Sequence, residues 1–424
     1  MNQPVVLILL LLALLGSPLS QAASAATSEN DGVAYRQVEM ITDVLSLIRS
    51  SYVEPTDLTE LTYGAVRGML QTLDPHSSFL TPEMYTEMQE ETQGEFGGLG
   101  IEVTVKEHQL IVVTPLEDSP AYRAGIQAGD RIVAIDGEPT RELEIMQAVR
   151  MLRGPKGEPV RLRIQRGEAA ELLSFTIVRD IIQLQSVKSR PLDGAYGYVR
   201  ISQFQAHTGE DLEAQLLELH QQRKTELAGL ILDLRNNPGG LLDQAVTVAD
   251  FFLEEGLIVY TEGREDETQL EFSAQSAGTQ PDYPLVVLIN GGSASAAEIV
   301  AGALQDHARA IILGEPSFGK GSVQSIIPLG DDAGLRLTTA RYFTPKGRSI
   351  QARGIFPDIT VPSRVTFSSE AAERTRERDL ENHFKGELEK SQETAEPVVA
   401  NALTEDYQLR RALELLKGHR LMSR

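Results

Sequence analysis

Two stretches of this chain follow one plan, and that plan limits the folds open to it. LAGLILDLR (227 to 235) and YPLVVLIN (283 to 290) are short apolar runs rich in branched residues, so they read as strands covered on both faces. Each stops at a glycine-containing turn, NNPGG (236 to 240) and NGG (290 to 292). Each then continues at helical period, as LLDQAVTVADFFL (241 to 253) and ASAAEIVAGALQD (294 to 306). GAYGYVRISQF (194 to 204), followed by DLEAQLLELHQQ (211 to 222), supplies a third strand and helix. Strands joined through crossover helices require a largely parallel or mixed sheet, with ligands beyond the strands' carboxyl ends. The chemistry is therefore to be sought in those turns.

Upstream the texture differs. Val38, Ile41, Val44, Leu45 and Ile48, then Leu58, Leu61, Ala65, Met69 and Leu73, recur at helical spacing, until LDPHSSFLTPEMYTEM (73 to 88) breaks the pattern with prolines and serines. From Gly97 short strands follow: GLGIEVTV (98 to 105), HQLIVVTPL (108 to 116), DRIVAIDG (130 to 137) and PVRLRIQR (159 to 166), with helical SPAYRAG (119 to 125) and ELEIMQAVRMLRG (142 to 154) between them. This order, with the turn Gly98, Leu99, Gly100, Ile101 and the stretches SPAYRAGIQAGDRIVAIDG and VRLRIQRG, resembles a PDZ domain. The resemblance implies that these four residues are the peptide-binding turn, their backbone amides holding a peptide's terminal carboxylate while the peptide adds a strand to the sheet.

A length of 424 residues exceeds one compact core and implies several domains. With 61 acidic against 39 basic side chains the net charge is -22, which disfavours a nucleic acid partner. The absence of cysteine removes disulfides, thiolate metal sites and a thiol nucleophile. Val5 to Leu15 is an apolar tract too short to span a bilayer as a stable helix, followed by small residues, and reads as an export signal cleaved between Ala23 and Ala26. No Lys or Arg precedes it, so an uncleaved anchor is the competing expectation, and on either expectation the bulk of the protein lies outside the cytoplasm. Residues 364 to 398 are charged and poor in apolar side chains, which predicts a solvated tail, and EDYQLRRALELLKGH (405 to 419) predicts an amphipathic helix.

Nucleophile and base are read from two loops. In NGGSASAAEIV (290 to 300) a buried strand turns through two glycines into a small-residue helix, so a serine there sits at a helix N-terminus, where free amides and the dipole stabilise an oxyanion. A plain helix cap by Ser293 is the competing reading. None of His76, His108, His207, His220, His307, His383 and His419 stands in a recognisable triad context, and most read as bystanders. A buried lysine can act as base instead. Lys320 in GEPSFGKGSVQ (314 to 324) is the lysine best placed for burial. The same loop mimics a phosphate loop, but Gly321 stands where Ser or Thr would hold magnesium and a strand follows instead of a helix. It also spells S-x-x-K, but Gly319 and Pro316 disfavour the helical turn that would put Ser317 and Lys320 on one face.

DPHSSFLTP (74 to 82), the PDZ stretch, LDLRNNPGGLL (232 to 242), NGGSASAAEIVAGALQD (290 to 306), GEPSFGKGSVQ (314 to 324) and TTARYFTPKGRSIQARGIFPD (338 to 358) together resemble the carboxyl-terminal processing peptidases, serine peptidases with a Ser-Lys dyad. The resemblance implies Ser295 as nucleophile, Lys320 as base and Gln324 as its orienting partner. It also implies an oxyanion hole from the amides of Ala296 and of Gly239 or Gly240, and leaves Ser293 as a cap or spacer with Ser317 and Ser322 uninvolved. The expected fold is α/β and α+β multidomain. Its parts are a signal peptide (1 to 25), an N-terminal helical segment (26 to 95), a PDZ domain (96 to 182), a mixed-sheet α/β serine peptidase core (183 to 363), and a charged linker with a C-terminal helical tail (364 to 424). The implied activity is endoproteolysis of exported proteins captured by their C-terminal ends, in the periplasm, with no metal or other cofactor. The implied partners are peptides with a free C-terminus, an accessory activator protein and further copies of the chain. The alternative is an inactive PDZ scaffold; a trypsin-like PDZ protease would need G-N-S-G-G where NNPGG has proline.

Overall fold

The computed structural model describes residues 19–167, 171–193, 195–221, 226–264, 269–363, 376–384 and 406–422. The chain divides into two units, Met1–Met69 and Leu70–Arg424. The first holds α1 (Leu19–Ser51) and most of α2 (Leu58–Gln71). Val38, Val44 and Leu47 of α1 are exposed. All but the last residues of the expected export signal lie outside the described residues, and no described helix is long and apolar enough to cross a membrane.

The second unit opens with a departure from expectation. The stretch broken by prolines contains a strand, β1 (Ser78–Leu80), so the segment is not purely helical. Proline removes a helix donor, and the bonds that stabilise β1 come from a partner more than 250 residues away, which local pattern does not show. Next, α3 (Pro82–Gln93) is capped at both ends: Thr81 Oγ1 accepts from the Met84 amide at 3.4 Å, Pro82 fills the first turn, and Gly94 closes it at φ 77.

The PDZ-like part comprises β2 (Glu95–Gly98), β3 (Ile101–Lys106), β4 (Gln109–Pro115), α4 (Pro120–Arg123), β5 (Arg131–Ile135), β6 (Glu138–Pro139), α5 (Ile145–Leu152), β7 (Pro159–Gln165), β8 (Leu172–Val178) and β9 (Asp180–Gln183). One sheet runs β3-β4-β5-β7-β8, with β6 on β5, and leaves β3 as an edge strand. β2 pairs antiparallel with β9, so the chain enters and leaves along one ribbon.

Beyond it lie β10 (Val187–Pro191), β11 (Tyr196–Ile201), α6 (Thr208–Gln221), β12 (Gly229–Asp233), α7 (Leu242–Asp250), β13 (Gly256–Gly263), β14 (Leu270–Ala274), β15 (Leu285–Ile289), α8 (Ala296–Asp306), β16 (Ile311–Gly314), β17 (Ser322–Pro328), β18 (Gly334–Phe343), β19 (Ile359–Thr360) and α9 (Tyr407–Met422). The main sheet runs β10-β11-β12-β15-β16-β19, parallel except for β10. Strand alternation divides its apolar residues between two layers. Leu230, Leu232, Leu285 and Val287 pack with α6, α7 and α8, while Ile231, Val286 and Leu288 pack with Ala412 and Leu416 of α9. The C-terminal helix therefore docks on the body. A second, antiparallel sheet, β1-β18-β13-β14 with β17 on β18, carries the loops after α8.

The predicted solvated tail holds only in part. Residues 364 to 375 and 385 to 398 lie outside the described residues, but Glu377, in a 3-10 turn at Glu377–Asp379, is 0% exposed. Its carboxylate bonds His76 Nε2 at 2.7 Å and Gln351 Nε2 at 2.9 Å, so His76 is no bystander. Composition averages over the segment and cannot single out one buried acid whose partners are distant in sequence.

Candidate active site

The parallel sheet delivers two turns to one place. NNPGG follows β12 and NGGSAS follows β15, its neighbour. The turns are clasped: the Asn236 amide donates to Asn290 Oδ1 at 2.9 Å, Asn290 Nδ2 donates to Asn236 Oδ1 at 3.0 Å, and the Ala294 amide donates to the Asn237 carbonyl at 2.9 Å. Ser293 is fully buried and braces this arrangement, donating to the Leu234 carbonyl at 2.8 Å and accepting from the Asn290 amide at 3.0 Å. The residue at the N-cap of α8 is Ser295, not Ser293.

Ser295 has φ 54 and ψ −116, a conformation that a residue with a Cβ adopts only when its surroundings impose it. Those surroundings leave no room to spare. A Cβ on Gly239 would lie 2.8 Å from Ser295 Cβ and 3.1 Å from the Ala296 nitrogen. The Gly239 amide itself donates to Asn237 Oδ1 at 2.9 Å. Its carbonyl accepts from the Phe204 amide at 2.9 Å, so the trans peptide turns the Gly240 amide away from Phe204. At Gly240 φ is 137, and a Cβ would meet the Phe204 carbonyl oxygen at 2.0 Å. Gly240→Ala is therefore expected to lower stability by about 1–3 kcal/mol or more, because backbone must move on both sides. A denaturant midpoint equal to wild type would contradict that.

One side chain not singled out by sequence joins this turn to the lysine loop. Glu298, in the first turn of α8, is 0% exposed. Its Oε2 accepts from the amides of Ser295 at 2.8 Å and Lys320 at 2.9 Å. Its Oε1 accepts from Ser317 Oγ at 2.5 Å and the Gly319 amide at 2.8 Å. Burial pushes the Glu298 carboxyl up to about 7, against the pull of those four donors. Its spacing from Ser295 is that of a capping box, S-x-x-E, which was the available signal. Ser317 thus takes part structurally, as a clamp on Glu298 and through the Ile355 amide, which donates to its Oγ at 2.7 Å.

Lys320 lies between β16 and β17, and its amine makes no ion pair among the described residues. Burial holds its ammonium below the usual 10.5, and the Arg336 charge adds to this; the nearby charges of Glu377, Glu298 and Asp74 oppose it. No hydrogen bond joins Lys320 Nζ to Ser295 Oγ in this arrangement. Tyr342, wholly buried, donates from its hydroxyl to the Lys320 carbonyl. Gln324 Nε2 donates to Ser322 Oγ at 2.9 Å and Thr338 Oγ1 at 3.4 Å, rather than to Lys320. Ser295, Ala296, Gly239 and Lys320 are thus brought together, with Gln324 in the adjoining network of Ser322, Thr338, Asp74 and Ser77.

The PDZ turn lies apart from this cluster. The Leu99 carbonyl accepts from the Ala121 amide at 3.0 Å, and the Gly100 carbonyl from the Leu116 amide at 2.9 Å and Ser119 Oγ at 3.1 Å. With the Gly100 carbonyl so held, the Ile101 amide is turned the opposite way. Leu99, Gly100, Ile101 and Val103 line a cavity of about 180 Å³ whose other wall is Val149 and Leu152 of α5.

Comparison with known proteins accords with these two parts. Residues 195–361 match peptidase family S41, residues 111–166 match a PDZ domain, and residues 16–84 match the activating protease CtpB N-terminal domain. A carboxy-terminal-processing protease of Bartonella bacilliformis is 45% identical over 95% of this chain and 94% of its own length. The carboxy-terminal processing protease CtpB of Bacillus subtilis is 35% identical over 82% of this chain and 72% of its own. Among solved structures, a photosystem II D1 C-terminal processing protease is 33% identical, covers 74% of this chain and 85% of its own, and superposes with a TM-score of 0.44.

Proposed function

The chain belongs to peptidase family S41 and is a carboxy-terminal processing protease with a PDZ domain, and from that premise we propose that it cleaves exported proteins through a Ser295–Lys320 dyad after its PDZ turn has captured their C-terminal ends. The neutral Lys320 amine accepts the Ser295 proton as Oγ attacks the scissile carbonyl. The amides of Gly240 and Ala296 hold the oxyanion. Collapse of the tetrahedral intermediate expels the C-terminal fragment's amine, protonated by Lys320, and leaves an acyl-enzyme on Ser295. Water then attacks that ester with Lys320 again as base, restoring free serine.

The observation that carries this reading is the single Glu298 oxygen that accepts from both the Ser295 and the Lys320 amides, which makes nucleophile and base backbone neighbours. An inert scaffold has no use for a strained serine at a helix N-terminus beside a partly buried amine. In this arrangement Tyr342 donates to the Lys320 carbonyl and Gln324 to Ser322. Substrate binding selects another, in which the amine reaches Oγ. The edge strand β3 and the outward Ile101 amide suit a peptide end that adds to the sheet. The apolar tract at Val5 to Leu15 suits export to the periplasm.

The test is chemical. Wild-type protein treated with a fluorophosphonate and mapped by peptide mass should carry the adduct on Ser295, and a peptide with a free carboxyl end should speed labelling relative to its amide. An adduct on any other residue, or none with either peptide, refutes the dyad.

A further inference from the structure

Arg336 on β18 acts on the Lys320 amine through its charge, but no hydrogen bond or ion pair of the site described above uses its guanidinium. Residues two apart on a strand share a face, so Arg336 stands beside Thr338, whose Oγ1 accepts from Gln324 at 3.4 Å. In register, Arg336 faces Ser78 of β1 on one side and Ile326 of β17 on the other. Arg336 Nε and Ser78 Oγ are both shut away from water without a hydrogen-bond partner. Arg336 makes no ion pair among the described residues, although the chain has 61 acidic side chains.

The nearby acids are taken. Asp74 accepts from Ser77, Thr338 and the amides of His76 and Ser77; Glu377 is bound to His76 and Gln351; Glu298 is saturated by four donors. Buried polar groups left unpaired in a folded protein are uncommon, and two on one face beside an active site suit a ligand that supplies the missing acceptor. An arginine fork presents two parallel N–H groups that match the two oxygens of a carboxylate.

We propose that Arg336 and Ser78 form a carboxylate-binding subsite beside the Lys320 loop, which selects substrates carrying a carboxylate close to the scissile bond, either an acidic side chain or the chain's own terminus. The proposal rests on the proteolytic reading above and adds a specificity determinant to it. Both atoms are covered in the present arrangement, so the carboxylate reaches the guanidinium fork and the Ser78 hydroxyl in the one that substrate selects, satisfying both orphaned groups and fixing the register of the bound chain.

The experiment measures kcat/KM for two pairs of peptides on purified full-length protein: one pair with Glu or Gln near the cleaved bond, the other with a free or amidated C-terminus. In wild type, one pair should show a preference of about tenfold or more for the carboxylate. Arg336→Gln should reduce that ratio to within about twofold, Arg336→Lys should retain part of it, and Ser78→Ala should lower it severalfold. Any effect of Arg336 on the Lys320 amine acts on both members of a pair and cancels in the ratio. A free-end preference that survives Arg336→Gln belongs to the PDZ turn. If neither pair shows a preference in wild type, or both ratios are unchanged in Arg336→Gln and Ser78→Ala, the subsite is refuted. The ratio does not depend on which residue attacks, so its failure leaves the Ser295 adduct standing, and failure of the adduct leaves the ratio interpretable.

Discussion

Lys320→Ala should lower kcat/KM by about 10²- to 10⁴-fold, the range for loss of a general base, while leaving the protein folded and more resistant to denaturant at neutral pH. Both halves follow from one fact: the partly buried amine is withdrawn from water, and that desolvation with the Arg336 charge holds its pKa below 10.5. For activity, the neutral amine is the working form, so wild-type kcat/KM should rise with pH through the depressed pKa and reach a plateau earlier than an exposed lysine would allow. Lys320→Arg should not rescue, because a guanidinium stays protonated at every usable pH. For stability the direction with pH is the same. Between the depressed folded value and the ordinary 10.5 the unfolded chain binds the proton and the native state does not, so this group's contribution rises with pH across that window. Below it the full penalty of burying the ammonium remains, and Lys320→Met removes it. Denaturant titrations at pH 7 and pH 10.5 should therefore show the variant's gain shrinking at the higher pH. A Lys320→Ala protein with wild-type kcat/KM, or with an unchanged rising limb, would dispose of the amine as base.

How much of this was legible in the sequence depended on how local the stabilising interactions are. The main sheet was readable because apolar strands buried on both faces carry their own signal, and the turn that ends β12 carries two glycines at positive φ, as at Gly240 with φ 137. Local position pointed to a serine of NGGSAS and to Lys320, while the choice of Ser295 over Ser293 came from the family resemblance, because small-residue turns carry no local sign of which serine caps the helix. Glu298 was within reach, three residues after Ser295, but its capping-box spacing says nothing of Ser317, Gly319 or Lys320, which close around its other lone pairs. The strand Ser78–Leu80 was hidden because its ladder partner is Gly334 to Arg336, far along the chain. Glu377 was hidden for a similar reason: in a highly charged segment every acid looks solvated, and only the fold shows which one meets His76 and Gln351. Arg336 gives no local sign at all, since what distinguishes it is a partner it lacks.

Glu298→Ala should cost more than its size suggests, because it strips acceptors from four donors at once. The amides of Ser295, Gly319 and Lys320 and the hydroxyl of Ser317 would be left in a dry pocket, at about 1–3 kcal/mol for each group that finds no substitute. The Lys320 loop would lose its tether to the nucleophile turn, and a displacement of about 1 Å between reacting groups is enough for roughly a hundredfold loss of rate. Glu298→Gln separates tethering from charge. It keeps the volume and one accepting oxygen but turns an NH₂ toward two donors, so kcat/KM should fall while the unfolding midpoint falls less than in the alanine variant. The wild-type pH dependence supplies a second check. Burial raises this carboxyl to about 7, above its ordinary 4.5, so between those values the native state binds the proton and the unfolded chain does not. The group's contribution to stability is accordingly complete below 4.5 and is lost as pH rises through about 7. Activity runs the other way, since a protonated oxygen cannot accept from two amides at once, so acidification through about 7 loosens the dyad in a protein that has not unfolded. Wild-type kcat/KM should show an acid limb near that pH, and Glu298→Gln should lack it. An alanine variant with full activity, or a glutamine variant that keeps the limb, would show that the carboxylate does not hold nucleophile and base together.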